Sequence, residues 1–486
     1  MSLPEQKTKI VATIGPASDK PEVLERMIAA GLNIARLNFS HGDFTSHAAT
    51  IARLRAAEKA VGRPVTIMAD LPGPKMRIGK IDPEPINLVA NDRFTLTTEQ
   101  ITGNAKRVSM SFEKLPKVVK PGDRLFLNDG LVQLVVERVT DNDVECVVAV
   151  GGELRSRKGL NLPGIHLGIS AFTDRDHACL NFALEHGVDA VSQSFVETAA
   201  DIGVVREAAA ARGKQPFIIA KIERAGAIQH IEEILAAADG IMVARGDLGV
   251  EVPIQEVALL QKQLIAMANL AGKPVITATQ MLESMVSSRL PTRAEASDVA
   301  NAILDGTDCV MLSAESAMGL YPVEAVAMLA NIAATTEAKR PASRLVHLRA
   351  DSPGYKATTA AEAISSVVED ALQTAPCAAV VVPTQSGTTA RMISRFKPEV
   401  WVVAVTSDPE VCRGLAFSYG VLAVLQPDEP ADWQRFSLDW VRRQQVAGPL
   451  VMLVSGPSKS DPRANYRLEF INTGERVSAS GVEALQ

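Results

Sequence analysis

The densest chemistry in this 486-residue chain sits in the short polar endings of apolar runs. Lys221 and Glu223 close one run, Arg245-Gly246-Asp247 a second, and Arg36, Asn38 and Ser40 a third; Asp70, Thr277 with Thr279, and Ser313 with Glu315 end three more. Extended chain turns successive side chains to opposite faces, so residues two apart are expected to share a side. Glu223 and Asp247 offer carboxylate oxygens from neighbouring strands, the donors of a hard cation such as Mg²⁺ (or Mn²⁺) that keeps waters and shares its other positions with substrate. Lys221 then stands beside the metal as a second cation. A dication, a lysine and Arg36 suit a highly anionic substrate, and phosphoryl transfer is the reaction that depends most on such positioning and charge neutralisation. Any one of these residues taken singly reads more readily as a solvated strand end; six coincident endings reverse that balance.

The elements that would position these groups form a regular series. β-branched runs at Lys9 to Ile14, Asn33 to Phe39, Val65 to Asp70, Val188 to Phe195, Phe217 to Ile222, Gly240 to Ala244, Pro274 to Thr279 and Asp308 to Ser313 read as eight strands. Helix-like stretches separate them, among them Pro21 to Ala30, Phe44 to Val61, Ala199 to Ala211, Ile254 to Ala271 and Val323 to Ala338. A (β/α)₈ TIM barrel is the simplest closure, and it gathers strand C-termini at one mouth. The interval from about Pro74 to Ile169 instead reads as strands and turns, an all-β domain inserted in a barrel loop. A polar stretch after Arg340 marks a linker, and βα alternation then restarts at Ala378 to Pro383, Val400 to Thr406, Val421 to Leu425 and Leu450 to Val454, enough for an open α/β sheet. The expected division is residues 1–73 with 170–340, 74–169, and 341–486.

Composition excludes several classes. The charges sum to −6 and aromatic residues make only 4%, so neither a basic footprint nor a stacking platform points to nucleic acid. The five cysteines are scattered and never in a C-x-x-C pair, which fits a reducing compartment. The first residues lack an apolar signal core and no apolar run approaches a bilayer span, so a cytoplasmic protein without a membrane anchor is expected. No Walker loop, G-x-G-x-x-G or protein-kinase signature is present, so a nucleotide must be held by side chains and metal.

The runs KIVATIGPAS from Lys9, ARLNFSHG from Ala35, GIMVARGDLGVE from Gly240, GKPVITATQMLESM from Gly272 and PTRAEASDVANA from Pro291 resemble the pyruvate kinase family, closely over residues 7 to 340 and more loosely beyond. The resemblance implies a barrel, an inserted β-barrel lid and a C-terminal regulatory domain in a homotetramer that uses phosphoenolpyruvate and ADP to give pyruvate and ATP. It implies Lys221 and Arg36 on the transferring phosphoryl group, and Glu223 and Asp247 on the divalent metal. The Gly246 and Asp247 amides with Thr279 would hold the substrate carboxylate, Thr279 lying where the enol is protonated. Asn38, Ser40, Asp70 and the Leu71 carbonyl match the monovalent-cation site; Asn38, His41, Arg77 and Lys158 match nucleotide contacts. Two other classes match less well: another Mg²⁺-enolate barrel enzyme, which would need neither the insertion nor the C-terminal domain, and a non-catalytic sensor, which should have lost Lys221, Glu223 or Asp247.

Two departures from the family pattern carry further expectations. Lys75 stands where K⁺-requiring relatives place a glutamate; its ammonium is expected to supply the charge that K⁺ supplies elsewhere, so that K⁺ is not required. Thr384-Gln385-Ser386-Gly387-Thr388-Thr389 follows a strand and opens a helix, which suits either a phosphate nest or an unliganded hydroxyl-rich cap. With the resemblance it suggests an allosteric site for a phosphorylated effector. Gly456 to Tyr466 departs from the loop that completes a sugar-bisphosphate pocket, which favours a sugar or nucleotide monophosphate.

Overall fold

The computed structural model describes residues 3–340, 357–457 and 463–474. Eight parallel strands close into a barrel in chain order: Lys9–Thr13, Leu32–Asn38, Thr66–Leu71, Ala190–Gln193, Phe217–Ile222, Gly240–Ala244, Val275–Ala278 and Cys309–Leu312. Their near-continuous apolar runs follow from burial on both faces, against helices outside and a packed interior within. The enclosing helices have legible ends. Asp43 and Ser46 form a reciprocal cap at the start of Phe44–Val61, and Gly62 ends that helix at φ 70°. Pro253 precedes a separate 3₁₀ turn, Ile254–Glu256, so the single helix expected there begins only at Val257.

Between Leu71 and Asp174 the chain forms the inserted β domain. Its six-stranded sheet runs Leu160–Asn161, Arg124–Leu127, Val132–Val139, Asp143–Val150, Arg93–Thr97, Arg107–Ser109, beside the pair Ile86–Leu88 and Gly152–Leu154. Its ladders do not close; the segment from Arg77 spans the gap by single bridges to Gly159 and Met110. Both connections to the barrel meet at Asp176, fully buried, whose Oδ1 accepts from Gly73 N at 2.8 Å and Oδ2 from Thr173 N at 2.8 Å.

The C-terminal sheet has the order Val421–Leu425, Trp401–Thr406, Cys377–Pro383, Leu450–Ser455, Arg467–Asn472. The last strand, absent from the sequence reading, is antiparallel and forms an edge. This domain seals the barrel's base. Phe417 enters the barrel interior beside Ile219, Met242 and Met311. Lys9 Nζ donates to Val421 O at 2.7 Å, and Lys397 Nζ lies 2.7 Å from Asp308. The linker segments near Pro341 and Ser352 lie outside the described residues.

Candidate active site

Lys221 lies inside the barrel two residues above Ile219, the spacing that keeps both on the inner face. Its Nζ donates to Ser194 Oγ at 2.7 Å and stands 3.4 Å from Asp70 Oδ1 and 3.5 Å from Glu223 Oε2. Burial would lower its pKa, but Asp70, Glu223 and Asp247 outweigh that and hold the ammonium above its ordinary value. Ser194 passes the contact on by donating to Leu71 O at 2.8 Å.

Arg36 is bound to Asp70 through Nε at 2.8 Å and through Nη2, while Nη1 donates to Thr13 Oγ1 at 2.8 Å. Asp70 also accepts from Ser192 Oγ at 2.9 Å. Burial pushes its carboxyl up, and Lys221, Arg36 and the hydrogen bonds together bring it below the ordinary range. Asp70 is thus a buried anion shared by two cations. The hydroxyls of Thr13, Ser192 and Ser194 went unnoticed in the sequence; the alternation that singled out Lys221 and Glu223 also pairs Ser192 with Ser194.

Glu223 Oε1 accepts from Phe195 N at 2.6 Å, which leaves Oε2 toward Lys221. Burial and the nearby Asp247 raise this carboxyl to about 7 despite Lys221. Asp247 lies exposed in the first turn of the helix Arg245–Glu251, and among the described residues its carboxylate has no hydrogen-bond donor. Two neighbouring carboxylates, one raised by the other, fit a dication that would relieve their repulsion.

Thr279 adopts φ 70°, a strained conformation for a β-branched residue. Its Oγ1 accepts from Gly246 N at 2.7 Å and donates to Ala278 O at 2.6 Å. Arg245, which the sequence reading left without a role, holds the turn: Nη2 donates to Thr279 O at 2.7 Å, and Nη1 pairs with Asp298 at 2.7 Å. The expected Thr277/Thr279 pairing fails because Thr279 lies past the strand end. Thr277 is buried and bonded to Thr307. Glu315 also leaves the mouth: fully buried, it accepts from Ser313 N and Leu282 N and holds a turn.

Around the monovalent-site candidates, Asn38 Oδ1 accepts from Ser40 N at 3.0 Å, and Lys75 Nζ donates to Ser40 O at 3.3 Å. Burial, Arg77, Arg175 and Lys221 lower Lys75 to about 8, against the pull of Asp70. His41 is lowered by burial and by Lys75, Arg77 and Arg36, so it shares their field. Arg77 is exposed on the inserted domain, donating to Arg157 O at 3.1 Å; Lys158 lies on the adjacent segment, its carbonyl accepting from Ile78 N.

The C-terminal hydroxyl loop largely satisfies itself. Thr384 Oγ1 accepts from Gly387 N at 2.9 Å, and Ser386 Oγ is 2.9 Å from Thr388 Oγ1. A cavity of about 430 Å³ beside it is lined by Thr384, Thr406, Gln426, Trp433 and Gly456; Ser386, Gly387, Thr388 and Thr389 lie outside that lining. Residues 458–462 of the completing loop lie outside the described residues.

Residues 5–326 match the family model "Pyruvate kinase, barrel domain" and residues 362–463 match "Pyruvate kinase, alpha/beta domain". A pyruvate kinase of Thermococcus litoralis is 52% identical over 87% of this chain and 89% of its own length. One from Geobacillus stearothermophilus is 44% identical over 86% of this chain and 71% of its own. A crystal structure of a pyruvate kinase from Cryptosporidium parvum superposes with TM-score 0.89 at 35% identity, covering 96% of both chains. With barrel, insertion and C-terminal domain in the same arrangement and identity of this extent, the chain belongs to the pyruvate kinase family.

Proposed function

We propose that this protein transfers the phosphoryl group of phosphoenolpyruvate to ADP, giving pyruvate and ATP, with Lys221 and Arg36 meeting the charge of the group in flight. The observation that carries the reading is the buried Lys221 ammonium, kept charged between Asp70, Glu223 and Ser194 at the barrel mouth. Its charge is held in place before substrate arrives, so little reorganisation is needed in the transition state.

Glu223 and Asp247 would hold Mg²⁺ or Mn²⁺, which when bound neutralises phosphate charge. The Asp247 amide, at the start of a helix, and the Gly246 amide, once it leaves Thr279 Oγ1, face the substrate carboxylate; the Thr279 hydroxyl, released from Ala278 O, gives its proton to the enolate carbon and regains one from solvent when the site reopens. The domain of residues 74–169 closes as a lid that excludes water, bringing Arg77 and Lys158 to the nucleotide, with Asn38 and His41 on the barrel side.

K⁺ is not required in this reading. Asp70 is already paired with Arg36 and Lys221, the Leu71 carbonyl is taken by Ser194, and Lys75 brings a fixed ammonium to the Ser40 carbonyl. A phosphorylated effector binds the C-terminal cavity beside Thr384, with Ser386, Gly387, Thr388 and Thr389 reaching it after the loop opens. Large exposed apolar side chains on the barrel exterior, Ile254, Leu290 and Leu320, support assembly, here a homotetramer. No described helix is long and apolar enough to cross a membrane, and the net charge of −6 offers nucleic acid no basic face; a cytoplasmic enzyme is the reading. The test is a coupled assay for ATP formation from phosphoenolpyruvate and ADP with Mg²⁺. No ATP formed by the purified protein under those conditions would overturn the assignment.

A further inference from the structure

Arg224 follows Glu223 and caps the barrel's fifth strand, yet its side chain, 5% exposed, points away from the substrate groups. Nη2 donates to Ile165 O at 2.9 Å, on the segment that returns from the inserted domain. Nε lies 3.1 Å from Glu197 Oε1 and 3.8 Å from Glu251 Oε2. Glu197 in turn reaches His166 Nδ1 at 3.2 Å, again on the returning segment. Glu251 is the last residue of the helix that carries Gly246 and Asp247. One buried guanidinium therefore touches the inserted domain, the helix bearing Asp247 and the loop after the fourth strand, and it is covalently next to Glu223.

The same helix meets the insertion at a second place. A β-carbon on Gly130 would stand 3.6 Å from Val250 Cγ1, so the turn Asn128-Asp129-Gly130 lies against the residue before Glu251. The hydrogen-bond capacity at the junction is not exhausted. Arg224 Nε and Glu251 Oε2 are buried without a well-formed hydrogen bond, although both lie within reach of opposite charge. Each unmet donor or acceptor in a buried charged network carries a desolvation cost, so a shift of these segments that paired Arg224 Nε with Glu251 Oε2 would be favoured.

We propose that Arg224 is a positioning residue that couples the position of the inserted domain to the two metal-binding carboxylates, Glu223 and Asp247. Movement of the returning segment displaces the Ile165 carbonyl and Glu197; Arg224 follows, and Glu251 carries the change to the helix of Asp247. The proposal rests on the phosphoryl-transfer reading above, in which the insertion closes over bound nucleotide.

The experiment compares wild type with Arg224→Ala, Arg224→Lys and Glu197→Gln. Hydrogen exchange of residues 162–171 is followed with and without Mg²⁺ plus ADP, alongside steady-state kinetics. The expected result is that wild type gains protection in this segment on adding Mg²⁺ plus ADP, and Arg224→Ala does not. Loss of a buried charged hydrogen bond should lower kcat/KM for ADP by about 10- to 100-fold, with a smaller effect on KM for phosphoenolpyruvate. Arg224→Lys restores part of both readouts, and Glu197→Gln behaves between wild type and alanine. Unaltered nucleotide-induced protection in Arg224→Ala would overturn the coupling, as would an equal rise in KM for both substrates that lysine does not rescue. Absence of any phosphoryl transfer in wild type would instead strike the functional reading, while the exchange experiment still reports on the coupling.

Discussion

The rings of Phe217 and Phe417 stack with centroids 5.0 Å apart and planes within 6°. Phe217 begins the strand that carries Lys221, and Phe417 belongs to the C-terminal domain, so a side chain of that domain forms part of the barrel's floor. Cys309 Sγ donates to Phe417 O at 3.2 Å, and Tyr419 N to Asp308 Oδ1 at 2.9 Å, which fixes the backbone that carries the ring.

Phe417→Ala should cost about 3 to 5 kcal/mol of stability, the range for removing a fully buried phenylalanine. Chemical denaturation would report it as a lower midpoint with an unchanged slope. A cost below about 1 kcal/mol would mean that the floor collapses to fill the space.

Lys221→Met should lower kcat by at least 10²- to 10³-fold, the order observed for removing one fixed group that meets transition-state charge. The far-ultraviolet circular dichroism should stay that of wild type. Near-normal kcat in a folded variant would remove Lys221 from the chemistry.

Metal binding to the free protein should tighten as pH rises through about 7, because the metal competes with the proton that Glu223 retains up to there. Paramagnetic resonance of Mn²⁺ would measure it, and Glu223→Gln should abolish the pH dependence. In the metal-free protein the sign for stability is opposite. A carboxyl raised on folding binds its proton more tightly in the native state, so this contribution is present at low pH and lost as pH rises through about 7.

Activity with Mg²⁺ in tetramethylammonium buffer should nearly equal that in K⁺ at pH 7, and Lys75→Glu should introduce a K⁺ requirement. Lys75 is lowered to about 8, so its charge is present below that value and lost above it. Stimulation by K⁺ should therefore emerge in the wild type as pH rises past 8. Strong K⁺ activation at pH 7 would discard the substitution of ammonium for ion.

Sugar monophosphates or nucleotide monophosphates should raise the melting temperature, and Ser386→Asp should remove the shift by placing a carboxylate against the incoming phosphate. If none of them shifts the unsubstituted protein, the loop is only the self-satisfied helix cap that its internal hydrogen bonds describe.

The eight barrel strands were legible because a parallel strand buried on both faces must be apolar throughout, and a polar residue at its end then stands out. Lys221, Glu223 and Asp247 emerged by that contrast, and so did the insertion, whose turns broke the alternation. Covalent neighbours and period-two spacing are local properties, so one sequence suffices to read them. What one barrel strand presents to another is not local. That Asp70 lies between Arg36 and Lys221, and that Ser192 and Ser194 finish the arrangement, follows from strand register and barrel closure. The pairings of Thr277 with Thr279 and of Ser313 with Glu315 fail for the same reason: Thr279 and Glu315 lie past their strands, where the turn, and not the pleat, sets direction. The burial of Phe417 in the barrel floor could not be read from sequence at all, because an apolar residue carries no label for the core it will join; docking between two domains decided it.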